Sequence, residues 1–182
     1  MKRLLVLLAL SCTAAASAAA NRAGRPMIIH RVAELGLEIW TEQDPQWETR
    51  LDKTTNSATW IAETPALTYP PARLSWTSTP QLKFTTTEIE SAARGAIHQV
   101  AANYGIKSPD KVIITSQRHG DLEGYEAIFA AKSQKLPIEI RVFCGHRPGR
   151  PAVLMQAITL GNKLDHLGEQ IRRSWSHVRY LP

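Results

Sequence analysis

From residue 111 onward, hydrophobic and polar positions alternate with a period of two in four successive stretches: KVIITSQRH (111–119), GYEAIFAAK (124–132), LPIEIRVFC (136–144) and PAVLMQAITL (151–160). That is the pattern of half-buried strands. The short connections between them are rich in Gly, Asp, Lys and Pro, which favours an antiparallel meander. Two flanking stretches follow the helical period instead. In TTTEIESAARGAIHQVAANYG (85–105), Ile89, Ala93, Ala96, Ile97, Val100 and Tyr104 recur at three and four. Thr87 with Glu90 reads as a capping box and Gly105 as the left-handed stop. In NKLDHLGEQIRRSWSHVRYL (162–181), Leu164, Leu167, Ile171, Trp175 and Val178 form one apolar stripe, with Glu169, Arg172, Arg173 and Arg179 off it. Trp175 on that stripe reads as a core anchor.

Upstream, LGLEIW (35–40), QWETRLDK (46–53) and SATWIAET (57–64) predict two or three further strands, less regularly patterned. Pro70 and Pro71 then open a long segment, ALTYPPARLSWTSTPQLKF (66–84), that reads as irregular. Strands, helix, four-strand meander, helix: this order predicts an α+β fold, an antiparallel sheet of about six to seven strands packed with two main helices.

The chain opens with Lys2 and Arg3, an apolar run from Leu4 to Leu10, and small residues ending in Ala18-Ala19-Ala20 before Asn21. That is the three-part pattern of a secretory signal peptide over residues 1–20. The apolar run is about half of what a spanning helix needs. Soluble export to the periplasm or beyond is the expectation, with lipid anchoring through Cys12 as the alternative. Residues 21–182 are then a single domain large enough for a proper core. Removing Lys2 and Arg3 lowers the formal charge from +6 to +4. Part of the remaining positive charge gathers near the C-terminus, at Arg147, Arg150, Lys163, Arg172, Arg173 and Arg179. Such a cluster reads as a solvated helix face, or as a surface for anionic polymer or lipid. Cleavage leaves Cys144 as the only cysteine, so no intramolecular disulfide is expected.

Three local features carry a resemblance. GLEIWTEQDPQW (36–47) is a short apolar strand followed by a proline and a tryptophan; GYEAIFAA (124–131) sets a glycine before an aromatic strand; IRRSWSHVRYL (171–181) closes with a serine and an aromatic in a final helix. Together with the order of elements, they resemble the PsbP-like and DcrB-like superfamily of small α/β/α sandwich domains, over most of residues 27–182. The resemblance implies an exported domain acting as an assembly factor, adaptor, chaperone or binding partner, and supplies no catalytic signature. The Pro-rich segment before the first helix departs from the family's pattern.

Candidate chemistry is sparse. There is no Gly-x-Ser-x-Gly elbow, no His-Glu-x-x-His and no glycine-rich phosphate loop. Cys144 shares a strand face with Ile138, Ile140 and Val142, so its thiol is expected in the core and inert; His146, two residues on, is the only nearby activator. His119, Asp121, Glu123 and His146 fall in two turns that an antiparallel meander would place at one rim, where they could form a metal site. In the irregular segment, Tyr69, Arg73 and Trp76 are residue types enriched at interaction hot spots, in a loop stiffened by prolines. The alternative is that Tyr69, Leu74 and Trp76 cover the edge of the core. The leading expectation is a non-enzymatic envelope protein that binds another protein as an adaptor, assembly factor or inhibitor, through Tyr69, Arg73 and Trp76. No catalytic residue, metal or cofactor is assigned. The rival is an envelope enzyme, a metal-dependent hydrolase built on the hairpin rim.

Overall fold

The computed structural model describes residues 26–182, apart from the side chains of Pro80, Gln81 and Leu82. The signal-peptide pattern and Cys12 lie outside the described residues. The elements run β1 (Met27–Val32), β2 (Leu37–Glu42), β3 (Glu48–Lys53), β4 (Ala58–Glu63), β5 (Ala72–Lys83), α1 (Ile89–Asn103), a short 3-10 turn (Pro109–Lys111), β6 (Thr115–His119), β7 (Leu122–Ser133), β8 (Leu136–His146), β9 (Pro151–Leu160), α2 (Leu164–Ser176) and β10 (Arg179–Tyr180). The fold is α+β, as expected, and β6 to β9 form the predicted antiparallel meander. No helix among the described residues is long and apolar enough to cross a membrane.

The strands divide between two antiparallel sheets rather than one. Seven make the larger, in the order β3-β4-β5-β9-β8-β7-β6, and three the smaller, β1-β2-β10. The centre of the large sheet corrects the reading of residues 66–84. The segment after Pro71 is not irregular: β5 is a twelve-residue strand paired with both β4 and β9. Its Ala72, Leu74, Trp76 and Ser78 share one face and are buried, alternating with Arg73, Ser75, Thr77 and Thr79, of which Ser75 is buried as well; the flanking prolines obscured this period of two. Pro71 precedes the strand, and Pro80 falls where the register shifts between Ser78 and Lys83, the two places where a proline is tolerated beside a ladder.

Because successive strand residues face opposite sides, register assigns each side chain to a layer. Trp60, Trp76, Met155, Phe143 and Glu126 are successive cross-strand partners and form one row across β4, β5, β9, β8 and β7. That face is covered by α2 and the small sheet: Leu167, Ile171 and Trp175 join Leu37, Ile39, Trp60, Trp76, Phe143 and Met155 in one buried cluster. The small sheet is fixed to the large one by the His30 ring, 4.7 Å from that of Trp60, and by Lys53 Nζ, 2.6 Å from Glu34 Oε1. On the opposite face α1 sets Ile97 and Val100 against Ala127 and Val142. Each buried Val, Leu, Ile, Phe or Met side chain contributes about 1.5–3 kcal/mol, so packing on two faces stabilises a chain with no disulfide among its described residues.

The predicted helices form with one shift. The Thr87–Glu90 box does not form: α1 has no side-chain cap at Glu88, and the Thr85–Glu88 pair closes the turn ahead of it. The Glu88 Oε2 accepts the Thr85 amide at 2.9 Å, and the Thr85 carbonyl accepts the amides of Glu88 and Ile89. Glu90 instead accepts from Arg94, 2.9 Å away, and from the Tyr125 hydroxyl at 3.0 Å.

Candidate protein-binding surface

The β4–β5 connection is a ridge. Pro65, Pro70 and Pro71 each fix one backbone angle, two hydrogen bonds tie the two ends, and a third closes a turn within. The Thr64 amide donates to the Ala72 carbonyl at 2.9 Å, the Ala72 amide to Thr64 Oγ1 at 2.9 Å, and the Thr68 amide to the Pro65 carbonyl at 3.1 Å. At the crest Leu67 is fully exposed with φ of 69°, and Tyr69 is 70% exposed. These are two large apolar side chains on a constrained loop, where their burial by a partner would cost little ordering entropy.

A hollow lies on each side. Toward α2 is a cleft of about 270 Å³ whose walls include Tyr69, Pro70, Lys163 and His166, over a floor that includes Glu42 and Arg173. Arg173 Nη1 stands 3.1 Å from Glu42 Oε1, both largely buried. The Ser174 hydroxyl donates to the Trp40 carbonyl, locking α2 to β2 beside that pair. Glu139 Oε2 accepts the amides of Lys163 and Leu164, each at 2.8 Å, and so satisfies the start of α2. The Lys163 ammonium then reaches 5.6 Å from the Tyr69 ring centroid. Toward the sheet is a broader, shallower hollow of about 460 Å³, lined by Thr64, Ala66, Pro71, Arg73, Ile138 and Ile158.

The structure separates the three residues predicted to form a binding loop. Tyr69 is on the ridge as expected and borders the α2 cleft; Arg73 borders the other hollow, 3.6 Å from Glu63, which also binds Arg50. Trp76 is corrected: it is fully buried in β5, its ring 5.3 Å from Trp60, and cannot reach a partner. Leu67 and Lys163 were missed. Leu67 had a signal, a lone large apolar residue between prolines, whereas nothing in the sequence places Lys163 beside a loop ninety residues earlier.

The predicted hairpin rim does not assemble, because its members face opposite sides of the sheet. His119 points toward α2: Nε2 is 2.7 Å from Glu126 Oε2, and its ring packs edge-on against Phe143 and Trp175 at 4.8 and 5.2 Å. Glu126 Oε1 is 3.0 Å from Arg141 Nη2, whose guanidinium lies over Trp175 at 5.3 Å. His146 is buried on the other face, in register with Glu123, and burial pushes its imidazole pKa down. Asp121 is occupied at β10, accepting the Tyr180 amide at 3.2 Å and facing Arg147 at 3.4 Å. Among the described residues no three His, Cys, Asp or Glu side chains gather in a way that could hold a metal ion.

Cys144 is a buried free thiol whose pKa burial raises to about 12. It borders an apolar cavity of about 210 Å³ between α1 and the sheet, together with Thr77, Phe84, Ala96 and Leu154. The C-terminal basic cluster is largely committed within the fold. Arg172 pairs with Glu169, Arg173 with Glu42, and Arg147 with Asp121, while Arg150 lies over the Tyr180 ring. A continuous cationic face for lipid or polymer is thereby broken up.

No protein-family model matches the chain, and no curated protein matches it in sequence. A solved structure from Bacteroides thetaiotaomicron VPI-5482 superposes with a TM-score of 0.49 at 8% identity, over 80% of this chain and 45% of that one. The chain thus spans less than half the length of that neighbour.

Proposed function

We propose that this chain acts without catalysis, as an exported bacterial envelope protein that binds another protein through the Thr64–Pro71 ridge, in the manner of an adaptor, assembly factor or inhibitor. The observation that carries this reading is the presentation of Leu67 and Tyr69 on a hydrogen-bonded, proline-fixed crest between two hollows. Exposed aromatic and aliphatic anchors on a rigid scaffold are the features that dominate binding energy at protein interfaces. The signal-like opening supports export, and the layered α+β arrangement is in keeping with the PsbP-like and DcrB-like resemblance.

The test is a crosslinking pull-down from envelope extract with protein beginning at Asn21, beside a Leu67→Ser, Tyr69→Ala variant. Both substitutions fall on exposed side chains, so the variant is expected to fold. A partner captured by the first and lost by the second is the expected result. Capture unchanged by the substitutions would move the interface elsewhere, and the absence of any specific partner would remove the reading.

A further inference from the structure

The cleft between α2 and the ridge contains a positive charge that the fold does not use. Arg173 is matched by Glu42 on the floor, and Glu169 at the rim is engaged by Arg172. Lys163 is unmatched: among the described residues no carboxylate lies within ion-pairing distance of its ammonium, which rests against the Tyr69 ring. One turn along the same wall, the His166 side chain also has no hydrogen-bond or ionic partner among the described residues, and neither has the Tyr69 hydroxyl.

Helix stability does not account for this placement. Lys163 is the N-cap of α2, and a cation at a helix N-terminus opposes the positive end of the helix dipole. The amides that open α2 are already bound by Glu139, so they neither recruit a ligand nor benefit from Lys163. Lys163, Tyr69 and His166 therefore line one recess of about 270 Å³ on the flank of the ridge that carries Leu67. One unmatched ammonium beside a phenol hydroxyl and an imidazole matches a single carboxylate. A phosphate or an anionic lipid surface would call for several uncompensated cations, and the neighbouring arginines are already neutralised.

We propose that this cleft receives an aspartate or glutamate side chain of the partner protein, with Lys163 as its counter-charge and Tyr69 Oη as a hydrogen-bond donor to it. The proposal rests on the protein-binding reading and assigns the chemistry of the surface beside the ridge. The carboxylate would enter from the crest while an apolar neighbour in the same segment lies on Leu67.

The experiment is a titration of isotope-labelled protein from Asn21 with acetyl-Leu-Glu-Leu-amide and its neutral counterpart acetyl-Leu-Gln-Leu-amide, followed by backbone amide shifts at low salt. Saturable shifts at Tyr69, Lys163 and His166 are expected with the glutamate peptide, with affinity roughly five-fold weaker for the glutamine peptide, the effect of one part-exposed ion pair. Lys163→Gln should weaken the glutamate peptide by the same factor at unchanged thermal midpoint, and Lys163→Arg should restore it. Equal affinity for the two peptides, indifference to Lys163→Gln, or no shift up to the solubility limit would overturn the proposal. So would phosphatidylglycerol vesicles shifting those signals where the peptides do not. The two readings fail separately. Partner capture lost in the Leu67→Ser, Tyr69→Ala variant but unchanged in Lys163→Gln removes the carboxylate and keeps the protein interface. Peptide binding at the cleft with no captured partner removes the protein-binding reading and, with it, the assignment of the carboxylate to a partner protein.

Discussion

His119 Nε2 and Glu126 Oε2 stand 2.7 Å apart on neighbouring strands beneath α2, and the other oxygen of that carboxylate is 3.0 Å from Arg141 Nη2. Burial alone would raise the Glu126 pKa, but the hydrogen bonds from His119 and Arg141 outweigh it and hold the carboxyl below its usual range. A folded pKa below the unfolded one means that the group stabilises the fold above about pH 4.3, and that this contribution is lost as the pH falls through the folded value. Glu126→Gln is therefore expected to cost about 2–3 kcal/mol at pH 7. The gap from the parent protein should narrow as the pH is taken below about 4.3, as read from urea denaturation at neutral and acid pH.

Trp76 and Tyr69 were read together from the sequence and should behave as opposites. Trp76→Ala opens a cavity at the centre of the row from Trp60 to Met155 and should cost about 3–5 kcal/mol. Tyr69→Ala removes an exposed ring and should stay within about 0.5 kcal/mol of the parent. Thermal or denaturant midpoints of the two variants decide this.

The Cys144 thiol, raised to about 12 by burial, is protonated throughout the physiological range. Thiolate is the reacting species, so a thiol reagent such as a disulfide chromophore should label native protein negligibly at pH 8 and label it stoichiometrically in denaturant. Rapid native labelling would mean that the strand carrying Cys144 opens readily.

Gly124 and Gly145 are register partners on β7 and β8. A Cβ on Gly124 would stand 2.1 Å from the Cys144 carbonyl oxygen and 2.4 Å from the Gly145 Cα, contacts that only strand separation could relieve. Gly124→Ala should destabilise by about 1–3 kcal/mol. Gly95, inside α1 with open space around it, supplies the control: Gly95→Ala should stabilise by about 0.5–1 kcal/mol. Paired equilibrium unfolding curves test both signs.

What could be seen in the sequence was whatever depended on one element at a time. The apolar stripe of α2 through Leu164, Leu167, Ile171 and Trp175 is the buried stripe of the structure, and the alternation that put Cys144 beside Val142 put it in the core. β5 was hidden because Pro70, Pro71 and Pro80 punctuate a segment whose alternate positions are Arg73, Ser75, Thr77 and Thr79, so Leu74 and Trp76 looked like loop residues. β1 was missed because MIIHRV is only half-buried at the margin of the small sheet. The rim at His119 and His146 failed for a reason of parity: proximity along a hairpin end says nothing of face, and those two side chains fall on opposite sides of the sheet. The cleft depends on Tyr69, Glu42 and Lys163, which are brought together only by packing of α2 on β2.

Two residues of β10 have a larger effect than their length suggests. Arg179 and Tyr180 extend the small sheet beside β2, while the Tyr180 amide is held by Asp121 and the Val178 carbonyl accepts the Asp121 amide at 2.9 Å, in the β6–β7 turn of the large sheet. The final strand is thus a rivet through both layers. Separating the sheets requires losing bonds that belong to both, so the two layers are mechanically coupled, and the walls of the α2 cleft are carried on that joint frame.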